Sequence, residues 1–260
     1  MIHDESWPAG TPAWADLNAP DHRAAQEFYA AVLGWEFLPD AGPEMGFYAM
    51  AHRGGKPIAG IGEGEGPPAW TTYLATDDVD ATLAKVAEAG GTLLAGPHTI
   101  EPSGRFAVLA DPLGAVVGLW QSAEHTGASI VNEPGAMIWN ESYGEDLAAA
   151  KAFYGHLFGY GFSDMGAPGF EFATVDLGDG RAVGGLGGPG SKPAGTAPCW
   201  TVYFATDDTE AALARAVALG GCALDGPRPS PFGTMATVAG PAGEVFVLMS
   251  TTEPRSTIGD

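Results

Sequence analysis

Two carboxylates, Asp16 and Glu141, occupy matched contexts: Trp14-Ala15-Asp16 in the first half and Trp139-Asn140-Glu141 in the second. Each acid follows a tryptophan by two residues within a short alternating stretch, so acid and indole share one face of a strand. A carboxyl group among aromatic rings is deprived of water. Its pKa rises, and it becomes a candidate general base. Two plainer readings stand beside that one: an edge-strand acid facing water, or an acid paired with arginine. Arg105 is the candidate counter-ion for the first half, where the second half has Thr234.

The same alternation extends the candidate site. Asn18 shares the face of Trp14 and Asp16, and Tyr143 shares that of Trp139 and Glu141. Thr71 and Tyr73 share a face on a later strand, as do their counterparts Thr201 and Tyr203. Trp120 follows Val116 and Gly118 on the last strand of the first half; Val245, Val247 and Met249 take those places in the second. His52 ends a predicted strand where a cup could open. Aromatic walls with a few polar groups suit a flat organic ligand stacked between rings. Aromatic residues on strands equally serve plain packing.

These residues are set out by an internal repeat. A shift of 125 aligns residues 14–61 with 139–186 without a gap, pairing Trp14/Trp139, Asp21/Asp146, Phe28/Phe153, Tyr29/Tyr154, Gly34/Gly159, Phe47/Phe172 and Gly60/Gly185. A shift of 130 aligns 70–97 with 200–227, with 15 of 28 positions identical, including the two Ala-Thr-Asp-Asp runs. Within each half the order strand, helix, three strands occurs twice. Asp21 is a helix N-cap candidate, and Ala25, Phe28, Tyr29 and Val32 follow helical spacing up to Gly34. The expected architecture is α+β, with four βαβββ units forming cupped mixed sheets that carry helices on their outer faces. The expected domains are 11–121 and 135–250, joined by a linker over 122–134. The 39 glycines and 21 prolines then serve the turns between many short strands.

Several motifs carry a family resemblance: the Asp-to-Phe-Tyr helices ending in Leu33-Gly34-Trp35 and Phe158-Gly159-Tyr160, the Ala-Thr-Asp-Asp strand ends, and the Asp111-Pro112-Leu113-Gly114 turn. With the four-unit repeat, they make the chain resemble the vicinal oxygen chelate superfamily, which includes glyoxalase I, bleomycin- and fosfomycin-resistance proteins and extradiol dioxygenases. The run from Asp111 to Gln121 is similar to actinobacterial tandem members labelled hydroxylases, some of them near anthracycline biosynthesis. Metal-binding members place His or Glu at three kinds of position. Here those positions hold Trp14 and Trp139; Trp70 or Thr71 and Trp200 or Thr201; and Gly118 and Val247. Such side chains do not assemble a divalent-metal site. No metal and no cofactor are therefore expected. The six histidines, His3, His22, His52, His98, His125 and His156, show no ligand spacing and read as surface, turn or linker residues. His98 is expected in a turn.

Three functions remain open at this level. The first is a metal-independent enzyme acting on a small aromatic molecule, such as a hydroxylase-like or other tailoring step of secondary metabolism. The second is a non-catalytic, resistance-type binding protein. The third is a metal-dependent glyoxalase or dioxygenase with a relocated site.

Composition narrows the partners. The 32 acids against 11 Lys and Arg give a net charge of −21, which opposes binding to nucleic acid or anionic membranes. Neither a membrane span nor a signal peptide is visible. Cys199 and Cys222 read as free thiols in a reducing cytoplasm. The expected partner is a small-molecule ligand, bound by a monomer with intramolecular domain pairing or by a homodimer.

Overall fold

A computed structural model describes residues 2–64, 66–192 and 195–251. The first half forms one eight-stranded sheet. Its strands are β1 (Pro12–Ala19), β2 (Glu36–Phe37), β3 (Ala49–Arg53), β4 (Lys56–Glu63), β5 (Ala69–Ala75), β6 (Thr92–Ile100), β7 (Gly104–Ala110) and β8 (Val116–Ser122), in the order β2-β3-β4-β1-β5-β8-β7-β6. Helix α1 (His22–Leu33) follows β1, and α2 (Val79–Glu88) follows β5. The second half repeats this with β9 (Met137–Tyr143), α3 (Leu147–Phe158), β10 (Gly161–Asp164), β11 (Phe172–Asp176), β12 (Ala182–Gly187), β13 (Cys199–Ala205), α4 (Thr209–Ala218), β14 (Cys222–Ser230), β15 (Gly233–Ala239) and β16 (Val245–Ser250). Its strand order is β10-β11-β12-β9-β13-β16-β15-β14. The architecture is α+β, with four βαβββ units in two repeated halves.

The four helices start by one device. Asp21, Asp78, Asp146 and Asp208 are N-caps, and each accepts a hydrogen bond from the backbone N–H three residues on, at 2.9–3.0 Å. Gly34 closes α1 in the left-handed conformation (φ 73°), with its N–H bonded to the Ala30 carbonyl.

The helix-bearing faces of the two sheets meet each other. Helix α1 packs on α4, and α3 packs on α2. Trp35 and Trp70 of the first half contact Phe204 of the second at 5.3 and 5.0 Å between ring centroids. On the same face, Thr72 donates to Asn140 across the interface at 2.8 Å. Two matched polar chains cross this boundary. Trp70 Nε1 donates to the Tyr29 hydroxyl (2.9 Å), which donates to Glu244 (3.0 Å). Trp200 Nε1 donates to Tyr154 (2.8 Å), which donates to Asp111 (3.0 Å). Strand alternation then sends Asp16 and Glu141 to the opposite, concave faces, so the two cups face away from each other.

The segment between the halves packs onto the first sheet: residues 127–132 are buried, and the Ala128 and Ser129 amides bond to the Ala13 and Pro57 carbonyls at 2.7 and 2.8 Å. Its small residues let it lie flat against the ends of β1 and β4. His98, expected in a turn, lies instead on β6, its ring tilted against Phe106 at 5.3 Å, because that strand continues through Gly96-Pro97 to Ile100.

Candidate functional site

Asp16 lies in the middle of β1, opposite Gly60 of parallel β4 and Thr71 of antiparallel β5. Both phenols that converge on it lie over glycines. A Cβ on Gly60 would stand 2.0 Å from the Tyr48 hydroxyl, and one on Gly118 would stand 2.1 Å from the Tyr73 ring. The glycines thus let two tyrosines lie flat in the cup. The phenols of Tyr73 and Tyr48 lie beside the Asp16 carboxyl and favour its charged form, and Trp14 Nε1 donates to the Tyr48 oxygen at 2.9 Å. Burial outweighs the two phenols and pushes the Asp16 carboxyl up to about 7. Burial and the adjacent Asp16 charge push both phenols well above their ordinary value, so they stay protonated donors.

The inner end of this cup is aromatic. Trp14 and Trp120 are buried, and the His125 ring meets both edge-on, at 4.4 and 5.3 Å. Trp120 Nε1 donates to the His125 carbonyl at 2.9 Å, which fixes the linker across the cup. Burial, then neighbouring His52, lowers His125 to about 4, so it is neutral at physiological pH. His52 is buried on β3, with its Nδ1 against the Met50 carbonyl at 3.0 Å. Asn18 is half-buried near the other end, opposite Gly62 and Ala69.

The second cup keeps the acid and changes its surroundings. Tyr203 donates to Glu141 Oε1 at 2.5 Å, and Trp139 Nε1 donates to Oε2 at 3.3 Å. Val247 lies opposite Tyr203, where Gly118 lies opposite Tyr73. The position of Tyr48 is taken by Phe172, which offers no hydroxyl. Met50 is opposite Gly60 and Thr174 is opposite Gly185, so counting back two residues matches Tyr48 with Phe172. The ungapped sequence match of Phe47 with Phe172 is therefore off by one. Tyr143 is buried and donates to the Gly188 carbonyl at 3.1 Å. Thr201 is buried and accepts a hydrogen bond from Lys192.

Arg105 does not serve Asp16. It makes a forked pair with Asp80 at 2.9 and 3.3 Å, because the residue before Phe106 projects away from the cup. His22 and His125, read from sequence as surface and linker residues, are in fact integrated. His22 is buried, stacks on Phe47 at 4.8 Å and bonds to Glu63 at 2.8 Å. Tyr48, His125 and Lys192 are the site residues that strand alternation missed. Tyr48 precedes the regular part of β3, and the other two lie in connecting segments. The glycine at position 60, opposite Asp16, was the available signal that a large ring must cover that strand.

At the positions where the superfamily places metal ligands, the donor set does not fit a metal. Trp14 is engaged with Tyr48, and Gly118 lies against the Tyr73 ring. Among the described residues, no three His, Cys, Asp or Glu side chains gather in a geometry that could hold an ion.

Known proteins match this arrangement over nearly the whole chain. A glyoxalase-like domain model matches residues 14–119, and the Glyoxalase/Bleomycin resistance protein/Dioxygenase superfamily model matches 141–248. CFP32 of Mycobacterium tuberculosis, named provisionally as a glyoxylase, is 39% identical over 252 residues, covering 92% of this chain and 94% of its own. The anthracycline biosynthesis protein DnrV of Streptomyces peucetius is 33% identical over 263 residues, covering 94% of both. Among solved structures, a variant of homoprotocatechuate 2,3-dioxygenase from B. fuscum superposes with a TM-score of 0.67 at 17% identity, over 97% of this chain and 73% of that one. The Mn(II)-bound glyoxalase from Novosphingobium aromaticivorans gives 0.64 at 18% identity, over 94% and 83%. These two likenesses concern the fold. The chain belongs to the glyoxalase/bleomycin resistance protein/dioxygenase superfamily, the vicinal oxygen chelate proteins, as a tandem two-domain member.

Proposed function

We propose that the first cup binds a small, flat, oxygen-bearing organic molecule and moves a proton on it through Asp16, without a metal ion. The observation that carries this reading is the Asp16 carboxyl, raised to about 7 between two protonated phenols. A group with that value is present in both protonation states at neutral pH, so it can take a proton and return it. With Asp16 protonated, the acid and the two phenols form a cluster of donors suited to an enolate or phenolate oxygen. Proton transfer needs no further reactant: the proton leaves a carbon or hydroxyl of the ligand, rests on Asp16, and returns to the ligand or to water. A hydroxylation, as the subgroup resemblance implies, would add an oxidant to this step, and the proposal is confined to the proton transfer. The aromatic walls and the relatives named as anthracycline biosynthesis proteins support a polycyclic aromatic ligand.

The test uses 1,4-dihydroxyanthraquinone as the binding probe and 1-tetralone, an aromatic ketone with an enolisable C–H, as the exchange probe. Binding is read by tryptophan quenching from pH 5 to 9, and proton transfer by deuterium uptake at the carbon next to the tetralone carbonyl in D2O, above the protein-free rate. Wild-type binding should change with a midpoint near the Asp16 value of about 7, and Asp16→Asn should abolish both that change and the exchange. Tight binding with no exchange in the wild type would instead support the binding-protein reading. Binding and exchange that persist in Asp16→Asn would sink the proposal.

A further inference from the structure

The second cup holds a cation that the first cup lacks. Lys192 lies in the loop between β12 and β13, and five hydrogen bonds fix the part of that loop that leads up to it. The Gly188 carbonyl accepts from the Tyr143 hydroxyl at 3.1 Å and from the Ser191 side chain and amide at 2.7 and 3.2 Å. Gly188 N–H donates to the Glu171 carbonyl, and Glu171 N–H to the Pro189 carbonyl, each at 2.9 Å. Lys192 is thereby carried over the Tyr143 ring, 5.0 Å from its centroid. Its ammonium donates to the Thr201 hydroxyl and reaches the Cys199 sulfur at 3.5 Å.

Neither of these acceptors is a carboxylate. No carboxylate among the described residues lies within ion-pair distance of Lys192, whereas Lys56, Lys151 and Arg105 each pair with an acid. Glu141 is not within ion-pair distance of it; its two oxygens accept from Tyr203 and Trp139 instead. An ammonium has three N–H donors, and here two are used. In a chain with 32 acids and 11 cations, a half-buried ammonium without a carboxylate is a specific placement. The corresponding first-half loop, 64–68, contains no Lys or Arg, and Ala69 and Asn18 stand where Cys199 and Tyr143 do.

We infer that the second cup is a receptor for a small aromatic carboxylate, whose charge meets Lys192 and whose ring packs against the Tyr143, Trp139 and Tyr203 side of the cup. The overall negative charge of the protein does not forbid this. Charges farther away than about 10 Å are screened at ordinary salt, while a partly desolvated ammonium at contact distance is not. This site is independent of the proton-transfer reading of the first cup.

The probe pair is 2-naphthoate and its neutral analogue 2-naphthamide, titrated into the full chain by calorimetry and tryptophan fluorescence. The naphthoate should bind about tenfold more tightly than the amide, as expected for one charge-assisted hydrogen bond. Lys192→Met should bring the two to equal affinity, Lys192→Arg should keep most of the preference, and Lys151→Met, a cation removed elsewhere in the same half, should leave it unchanged. Trp139→Phe should remove most of the fluorescence response, which assigns the probe to this cup. Thermal melts of each variant separate lost binding from lost folding. Equal binding of acid and amide, no effect of Lys192→Met, or no binding of either probe would each overturn the inference.

Discussion

Tyr73 lies flat over Gly118, so closely that a single methyl group on residue 118 would stand 2.1 Å from its ring. The two residues are register partners on parallel strands β5 and β8. The place where metal-binding members of the superfamily carry a glutamate is thus covered by the phenol that lies beside Asp16 and favours its charged form. Gly118→Ala should force the Tyr73 ring out of place. Overpacking of this kind costs about 1–3 kcal/mol, readable by urea unfolding. Because the displaced phenol no longer holds the Asp16 carboxyl down, the midpoint of the pH-dependent binding should move upward as well. A variant that loses stability with an unchanged midpoint would show that the Tyr73 hydroxyl does not set the state of Asp16.

Much of the fold is written in the repeat. The four Asp caps recur at matched positions, and strand alternation alone separates Asp16, Thr71 and Tyr73 from Trp70 and Thr72. What alternation does not reveal is the set of contacts made by residues off the strands. Tyr48 enters the cup one residue out of step with the ungapped repeat, because the turn before β3 differs in length from the turn before β11. His125 reaches the cup because its own N–H and that of Ala123 bond to the Ser103 carbonyl while Ala128 and Ser129 are pinned to β1 and β4, a matter of backbone pairing that small polar residues do not announce. Lys192 lies between the aligned blocks, where the repeat carries no information. The difference between the two cups therefore resides in connections, while their likeness resides in strands.

The matched chains at the interface allow a second test. Tyr29 is fully buried, accepts from Trp70 and donates to Glu244. Tyr29→Phe removes one oxygen and leaves an indole N–H and a carboxyl without that partner, both where water is scarce. The expected cost is about 1–3 kcal/mol. Tyr154→Phe should behave alike through Trp200 and Asp111. Urea unfolding with an unchanged slope is the measurement, and a neutral result in both would mean the paired chains do not stabilise the joint between the halves.

Asp16→Asn should reveal the cost of keeping an acid in the first cup. The folded-state pKa of about 7 lies above the ordinary carboxyl value of 3.8. Between those values the folded state holds a proton that the unfolded state has released, so stability falls as pH rises through the window. Asparagine mimics the protonated acid in shape and carries no charge. The variant should match the wild type near pH 4 and exceed it near pH 8, with the difference on the order of a few kcal/mol at most. Melting curves of the two proteins across pH check this, and a difference that stays flat would show that Asp16 is not raised.

His125 has the opposite sign. Its folded value of about 4 lies below the ordinary 6.5, so in that interval the unfolded chain takes up a proton that the folded protein refuses. Stability therefore rises with pH across the window and is lost as pH falls towards 4. His125→Gln stays neutral and should gain on the wild type as the pH is lowered from 7 to 4.5. The Asp16 and His125 windows overlap between about 4 and 6.5, where the slopes of these two groups oppose each other. The two single variants should therefore tilt the wild-type profile in opposite directions. If Asp16→Asn and His125→Gln tilted it the same way, one of the two assigned protonation states would be wrong, and the direction of the tilt would identify which.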